Sequence, residues 1–179
     1  MPRIRFAVAV ATAMLALCPA PSRADTALRL DPAPERREAQ HMHAIIDELE
    51  DWLDRQTDWP RRAEAPRIRL VSEWQAAARR GVTGSDQRGR LRGLYDPDRS
   101  EILLVRPWDP RDAVDVSVLL HELVHHRQAP HHWYCPAAQE LPAYRLQEAW
   151  LTERGLSADV NWVAVVLAAG CTRRDIHPD

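Results

Sequence analysis

A chain of 179 residues, 45% of them apolar and 28% charged, can bury the core of one domain but is short for two. Its 24 basic residues against 26 acidic ones give a formal charge of −2, and every basic residue is an arginine, scattered and not clustered. That balance argues against nucleic acid or an anionic membrane surface as the partner, and there are no internal repeats or low-complexity tracts.

The N-terminus places Arg3 and Arg5 before an apolar run from Phe6 to Cys18, followed by a small-x-small site at Ser22-Arg23-Ala24. This pattern predicts a secretory signal peptide over residues 1–24. The run is shorter than the roughly 20 residues of a spanning helix, so no stable membrane insertion is expected after cleavage. Leu17 is too large for the position before a lipidated cysteine, which argues against a lipoprotein at Cys18. The mature chain, residues 25–179, is expected to form a single domain in the periplasm or outside the cell. It carries 21 basic and 26 acidic residues, a formal charge of −5. Its two cysteines, Cys135 and Cys171, read as one disulfide in an exported protein.

Residues 25–34 form a polar, Pro-containing lead-in. From Glu35 to Gln56 the apolar residues Met42, Ile45, Ile46, Leu49, Trp52 and Leu53 recur at helical spacing, predicting an amphipathic helix packed on the core. His41 and His43 lie two residues apart, point to different sides of that helix and are read as surface residues. After a break bounded by Pro60 and Pro66, Arg67 to Val71 alternates as a half-buried strand does. Ser72 can cap a short helix from Glu73 to Arg80, ended by Gly81, and residues 82–90 read as loop. Gly93-Leu94-Tyr95 and Glu101 to Val105, separated by Asp96-Pro97-Asp98-Arg99, predict a β-hairpin.

Asp112 is a candidate N-cap for the next helix, with Asp115 favourable to its dipole. That helix contains His121-Glu122-Leu123-Val124-His125. Histidines at i and i+4 lie one above the other and can direct two imidazole nitrogens at one point, while the intervening glutamate stands beside it. Val114, Val118, His121 and His125 share one inward face, and an inward pair of imidazoles beside a carboxylate is satisfied most simply by a cation. The motif therefore predicts zinc ligands at His121 and His125, with Glu122 as general base toward a water held at the metal.

A catalytic zinc site takes three protein ligands. The next helix, expected from Ala137 to Arg154 after Pro136, offers Glu140 on a face shared with Tyr144, Gln147 and Leu151, and Glu148 as the competing donor. Between the two helices, residues 129–134 carry His131, His132, Trp133 and Tyr134 as a plausible rim. A last helix, Ser157 to Ala169, is almost wholly apolar and is expected to be buried.

With these residues in place, the chain resembles the gluzincin type of HExxH zinc metallopeptidase. More narrowly, His121 to His126, Cys135 and Glu140-x-x-Ala143-Tyr144-x-x-Gln147 resemble a small exported zincin-like family of unknown function. The resemblance covers roughly residues 93–151. It implies an α+β fold, a mainly helical zincin-like domain with a small sheet or hairpin whose edge strand lies over the HExxH helix. It also implies zinc held by His121, His125 and Glu140, with Glu122 as base. It departs in one place, since Tyr144 stands where well-known gluzincins carry the Asp that supports a ligand histidine. Which group does so here is left open, as is the oxyanion donor among Tyr144, Tyr134, His131 and His132.

The expected function is a zinc-dependent hydrolase, a peptidase acting on a peptide or another amide substrate. The alternative is a zinc-stabilised, non-catalytic binding protein, suggested by the small size. Glu122 separates the two, because a structural zinc needs ligands but no base.

Overall fold

A computed structural model describes residues 34–80 and 91–171 of the protein; the expected signal peptide, most of the lead-in, the 82–90 loop and the last eight residues lie outside them. The architecture is α+β. Its elements are helix α1 (Pro34–Gln56), strand β1 (Arg67–Val71), helix α2 (Glu73–Arg80), strands β2 (Gly93–Asp96) and β3 (Glu101–Val105), and helices α3 (Ala113–Gln128), α4 (Glu140–Thr152) and α5 (Trp162–Ala169). A short 3-10 turn, Pro136–Gln139, leads into α4.

The three strands form one sheet in the order β1-β3-β2. The predicted hairpin is the antiparallel pair β2–β3, with Asp96 opposite Glu101 and Gly93 opposite Leu104. β1 runs parallel to β3 on its other side, Arg67 opposite Glu101 and Val71 opposite Val105. Because side chains alternate along a strand, this register gives the sheet two distinct faces. One carries Ile68, Tyr95, Ile102 and Leu104 into the main core with α1, α3 and α4. The other carries Val71, Leu94, Leu103 and Val105 under α2, where Ala76 closes a smaller core.

The stripe predicted on α1 holds: Ile46, Leu49, Trp52 and Leu53 are buried, with Met42 and Ile45 packed at the edge, and His41 and His43 are exposed. α3 runs through the centre and is buried around most of its circumference, because the sheet, α1 and α4 cover it from three sides. Only its first turn emerges, leaving Val114 on the surface and not on the inward face. Asp112 caps the helix by accepting from the Val114 N–H at 2.9 Å. Asp115 accepts from the Asp109 N–H at 2.7 Å and pairs with Arg92. A fully buried guanidinium, Arg127, pins α3 to α1 through Glu50 and through Asp54 at 2.6 Å, and to the segment after α1 through the Trp59 carbonyl at 2.9 Å.

Two expectations are corrected. The helix read as running from Ala137 to Arg154 is split, with the 3-10 turn ending at Gln139 and α4 starting at Glu140. The apolar last helix is not buried: none of its residues is, and Val163, Val166 and Leu167 are 70%, 51% and 62% exposed. It begins only at Trp162, capped by Asn161, which accepts from the Ala164 N–H. The core is already filled by α1, α3, α4 and the sheet, so α5 lies outside it against α4 and the 3-10 turn. The Cys135–Cys171 disulfide, with Cα atoms 5.9 Å apart, ties it there. An apolar run without periodicity carries no information about which face, if any, is covered.

Candidate metal centre

His121 and His125 stand one helical turn apart on α3, and Glu140, the first residue of α4, meets them from the neighbouring helix. The Nε2 atoms of the two histidines lie 3.1 Å apart. Glu140 Oε2 is 3.2 Å from His121 Nε2 and 3.6 Å from His125 Nε2. Among the described residues this is the group whose ligand atoms are gathered closely enough to hold a metal ion.

The surrounding hydrogen bonds fix which ring nitrogens face inward. Ser117 Oγ donates to the Val114 carbonyl at 2.7 Å, so it accepts from Gln147 Nε2 at 2.9 Å. That turns Gln147 Oε1 toward His121 Nδ1, 3.2 Å away, which must carry the proton. Gln128 does the same for His125: its Nε2 donates to the Gln139 carbonyl at 3.2 Å and its Oε1 faces His125 Nδ1 at 2.9 Å. Both Nε2 atoms therefore present lone pairs to each other and to a carboxylate. Three acceptors this close repel unless a cation sits among them.

The donor set fits zinc. Bonds of about 2.0–2.1 Å at tetrahedral angles separate neighbouring ligand atoms by about 3.3 Å, and the three separations here are 3.1, 3.2 and 3.6 Å. Glu140 keeps 35% of its side chain exposed while His121 keeps 8%, so the cluster opens to solvent on the α4 side. A closed structural site would offer a fourth protein ligand instead.

Electrostatics agree with this geometry. Where a proton takes the cation's place on Nε2, it is shared with Glu140: burial pushes the Glu140 carboxyl up, but hydrogen bonds from the protonated His121 and His125 outweigh it and hold the group well below the usual carboxylate range. Burial lowers His125, and the Glu140 hydrogen bond with the Glu122 charge more than reverses that, so the site draws positive charge. Glu122, 6% exposed, is pushed up by burial, opposed by the charges of His121 and His125.

Glu122 is lodged against the edge strand. A Cβ at Gly93 would fall 2.6 Å from Glu122 Oε1, 2.8 Å from Val118 Cγ1 and 2.9 Å from Glu122 Cγ, so the strand can approach this closely only with glycine there. The Tyr95 backbone N–H adds a hydrogen bond to the Glu122 carboxylate. Tyr95 is itself held at its hydroxyl, which accepts from Arg62 at 3.0 Å and lies 3.2 Å from His126 Nδ1.

The remaining candidates separate cleanly. Glu148 spends its carboxylate on the Ala158 N–H at 2.6 Å. Tyr144 packs its ring 4.4 Å from that of His121, and burial with the nearby Glu140 and Glu122 charges raises its hydroxyl pKa. Tyr134 is 94% exposed and pairs with His132, while His131 lies against Trp59; none of these rim residues joins the cluster. Gln128, Gln147, Ser117 and Gly93 are the site residues without an assigned role in the sequence. The faint signal for Gln147 was its place on the Glu140 face.

A family profile described as a domain of unknown function, DUF6647, matches residues 38–179. The chain belongs to the DUF6647 family. No curated protein and no solved structure matches it. The DUF6647 match takes in every residue of the cluster, both supporting glutamines and the disulfide, and starts within α1.

Proposed function

We propose that this DUF6647 domain is an exported zinc-dependent hydrolase, a metallopeptidase or a hydrolase of another amide. The observation that carries the reading is the pairing of a trio of ligand groups, His121, His125 and Glu140, with a second carboxylate, the buried Glu122, that stands outside the trio. A metal held only for structure has no use for that extra buried acid, whose burial is costly without a task.

Bound between the three ligands, zinc would supply Lewis acidity, polarising an amide carbonyl and lowering the pKa of water. Glu122 then takes the proton of the attacking water and delivers it to the leaving nitrogen. Gly93 and the Tyr95 N–H hold its carboxylate in place between those two transfers. Gln147 and Gln128 keep the imidazoles in the tautomer that leaves Nε2 free. Tyr144, beside His121, is the phenol nearest the centre and the candidate donor to a developing oxyanion.

Export to the periplasm or the outside fits a disulfide-bonded chain in which, among the described residues, no helix is long and apolar enough to cross a membrane. The test is elemental analysis of the mature protein together with cleavage of a peptide library with and without added zinc. About one zinc per chain and zinc-dependent cleavage are expected. Protein that neither carries nor takes up zinc ends this reading, and zinc without turnover on the library turns it toward a zinc-stabilised binding protein.

A further inference from the structure

On the face of the sheet away from α3 lies a groove of about 330 Å³, lined by Arg69, Val71, Trp74, Gln75, Arg79 and Leu103. The register explains its chemistry. Arg67, Arg69 and Val71 of β1 alternate onto this face, opposite Glu101, Leu103 and Val105, and Asp96 joins them from β2. Asp96 and Glu101 face each other across the hairpin, both buried, a like-charge pair that needs cations. Arg79, from the last turn of α2, bridges them at 2.7 and 3.4 Å; Arg69 reaches Glu101 at 3.5 Å and Arg99 reaches Asp96 at 3.2 Å. Three guanidiniums thus meet two carboxylates, and Arg67 beside them donates to the Arg99 carbonyl. The patch is cationic on a chain whose formal charge is −2.

Docking α2 accounts for Arg79 alone. It does not account for Arg69, 55% exposed at its side chain with one long contact, or for Trp74, a residue 69% exposed at the same groove. Among the described residues only Nη1 of Arg69 and of Arg79 is engaged with the carboxylates, leaving the other guanidinium donors for a ligand. Buried Val71 and Leu103 supply an apolar floor. Fixed guanidinium forks match planar or tetrahedral oxyanions, and an exposed indole offers a flat apolar surface.

We propose that this groove is a second binding site, separate from the metal centre, for a small anion whose carboxylate or phosphate is attached to an apolar or aromatic body. Arg69 and Arg79 hold the oxyanion, and the body lies between Trp74 and the Val71–Leu103 floor. The site does not depend on the hydrolase reading.

The probes are phenylacetate, phenyl phosphate, acetate, inorganic phosphate and neutral 2-phenylethanol, titrated into zinc-loaded, isotope-labelled mature protein and followed by two-dimensional amide NMR. Shifts from phenylacetate or phenyl phosphate are expected at the Trp74 indole N–H and along β1, with zinc content unchanged. Each of Arg69→Gln and Trp74→Ala is expected to weaken that binding at least about fivefold, the loss of one charge-assisted contact or one aromatic contact. Tighter binding of phenyl phosphate than of phenylacetate marks a phosphate ligand, and the reverse order a carboxylate ligand. Equal binding of 2-phenylethanol removes the anion from the proposal, and equal binding of acetate or inorganic phosphate removes the apolar body; either overturns it. Unchanged affinity in both variants, or shifts centred on His121 and His125, also overturns it.

Discussion

Gln147 Oε1 lies 3.2 Å from His121 Nδ1, and the glutamine has no freedom to turn away, because its Nε2 is committed to Ser117 Oγ. Where the resemblance to gluzincins leads one to look for an Asp on the glutamate helix, this chain has Tyr144, and a neutral amide three residues further on supports the imidazole. An amide orients the ring without making it as basic as a carboxylate would. Both histidines receive this kind of support, since Gln128 serves His125.

Replacing either glutamine by leucine therefore keeps the size of the side chain and removes the ring's partner. Gln147→Leu and Gln128→Leu are each expected to weaken zinc binding about 10–100-fold, the usual loss on removing such outer partners. Competition against a chromophoric chelator measures this. Unchanged affinity in both variants would show that packing alone orients the rings.

Gly93→Ala puts a methyl group into space held by Glu122 and Val118. The clash is with a buried carboxylate and a packed valine on the central helix, so relief requires β2 or α3 to move. A loss of about 1–3 kcal/mol is expected, the scale of overpacking, read from urea midpoints. A variant as stable as the parent would mean that the edge strand yields freely and does not position Glu122.

Much of this was legible before the fold was. The α1 stripe, the hairpin and the Asp112 cap were readable because each is written in neighbouring residues: a period, a turn, a hydroxyl or carboxylate before a helix. The disulfide followed from two cysteines and an expected export signal. What escaped were relationships across long sequence separations. Nothing local says that Gln147 will reach His121, 26 positions back, while holding Ser117 Oγ, or that Arg127, charged and on the central helix, will be buried against Glu50 of α1. The exposure of α5 was misread because composition reports how apolar a helix is, and only the packing of the other elements decides whether room remains to bury it.

Arg127 is 1% exposed, and its pairing with Glu50 is the buried part of the polar tie between α1 and α3. Glu50→Ala leaves the buried guanidinium with only Asp54, 47% exposed at its side chain, and backbone carbonyls, and is expected to destabilise the protein by up to about 3–5 kcal/mol, whereas an Arg127→Met, Glu50→Leu double variant recovers most of that loss. Thermal melts of the two variants give the comparison. A single variant no worse than the double would deny the pair its role.

Asp96 gives a pH signature. Burial pushes its carboxyl up, but the hydrogen bonds from Arg79 and Arg99 outweigh burial and leave it below its ordinary value. A depressed folded pKa means that the unfolded chain binds the proton more readily, so the stabilisation is complete above the ordinary carboxylate pKa of about 4 and fades as pH falls below it. Compared with Asp96→Asn, the parent should be more stable at neutral pH, the gap closing on acidification below about pH 4. Denaturant midpoints at several pH values test the sign; a gap that widens in acid contradicts it.

Glu122 and Glu140 are both buried or partly buried carboxylates beside the same two histidines, yet their assigned tasks differ, and isosteric amides separate them. Glu140→Gln replaces a charged ligand by a poorer neutral donor and should weaken zinc retention, measured as metal content after dialysis against a mild chelator. Glu122→Gln leaves the three ligands intact and removes the base, so zinc and folding are retained while amide hydrolysis falls by at least about 100-fold. The reverse pattern, with Glu122→Gln losing the metal and Glu140→Gln keeping it, would exchange the two roles. Hydrolysis undiminished in Glu122→Gln would remove Glu122 from the mechanism. Zinc held equally by Glu140→Gln and the parent would deny Glu140 its place as third ligand, although its oxygen lies 3.2 Å from His121 Nε2.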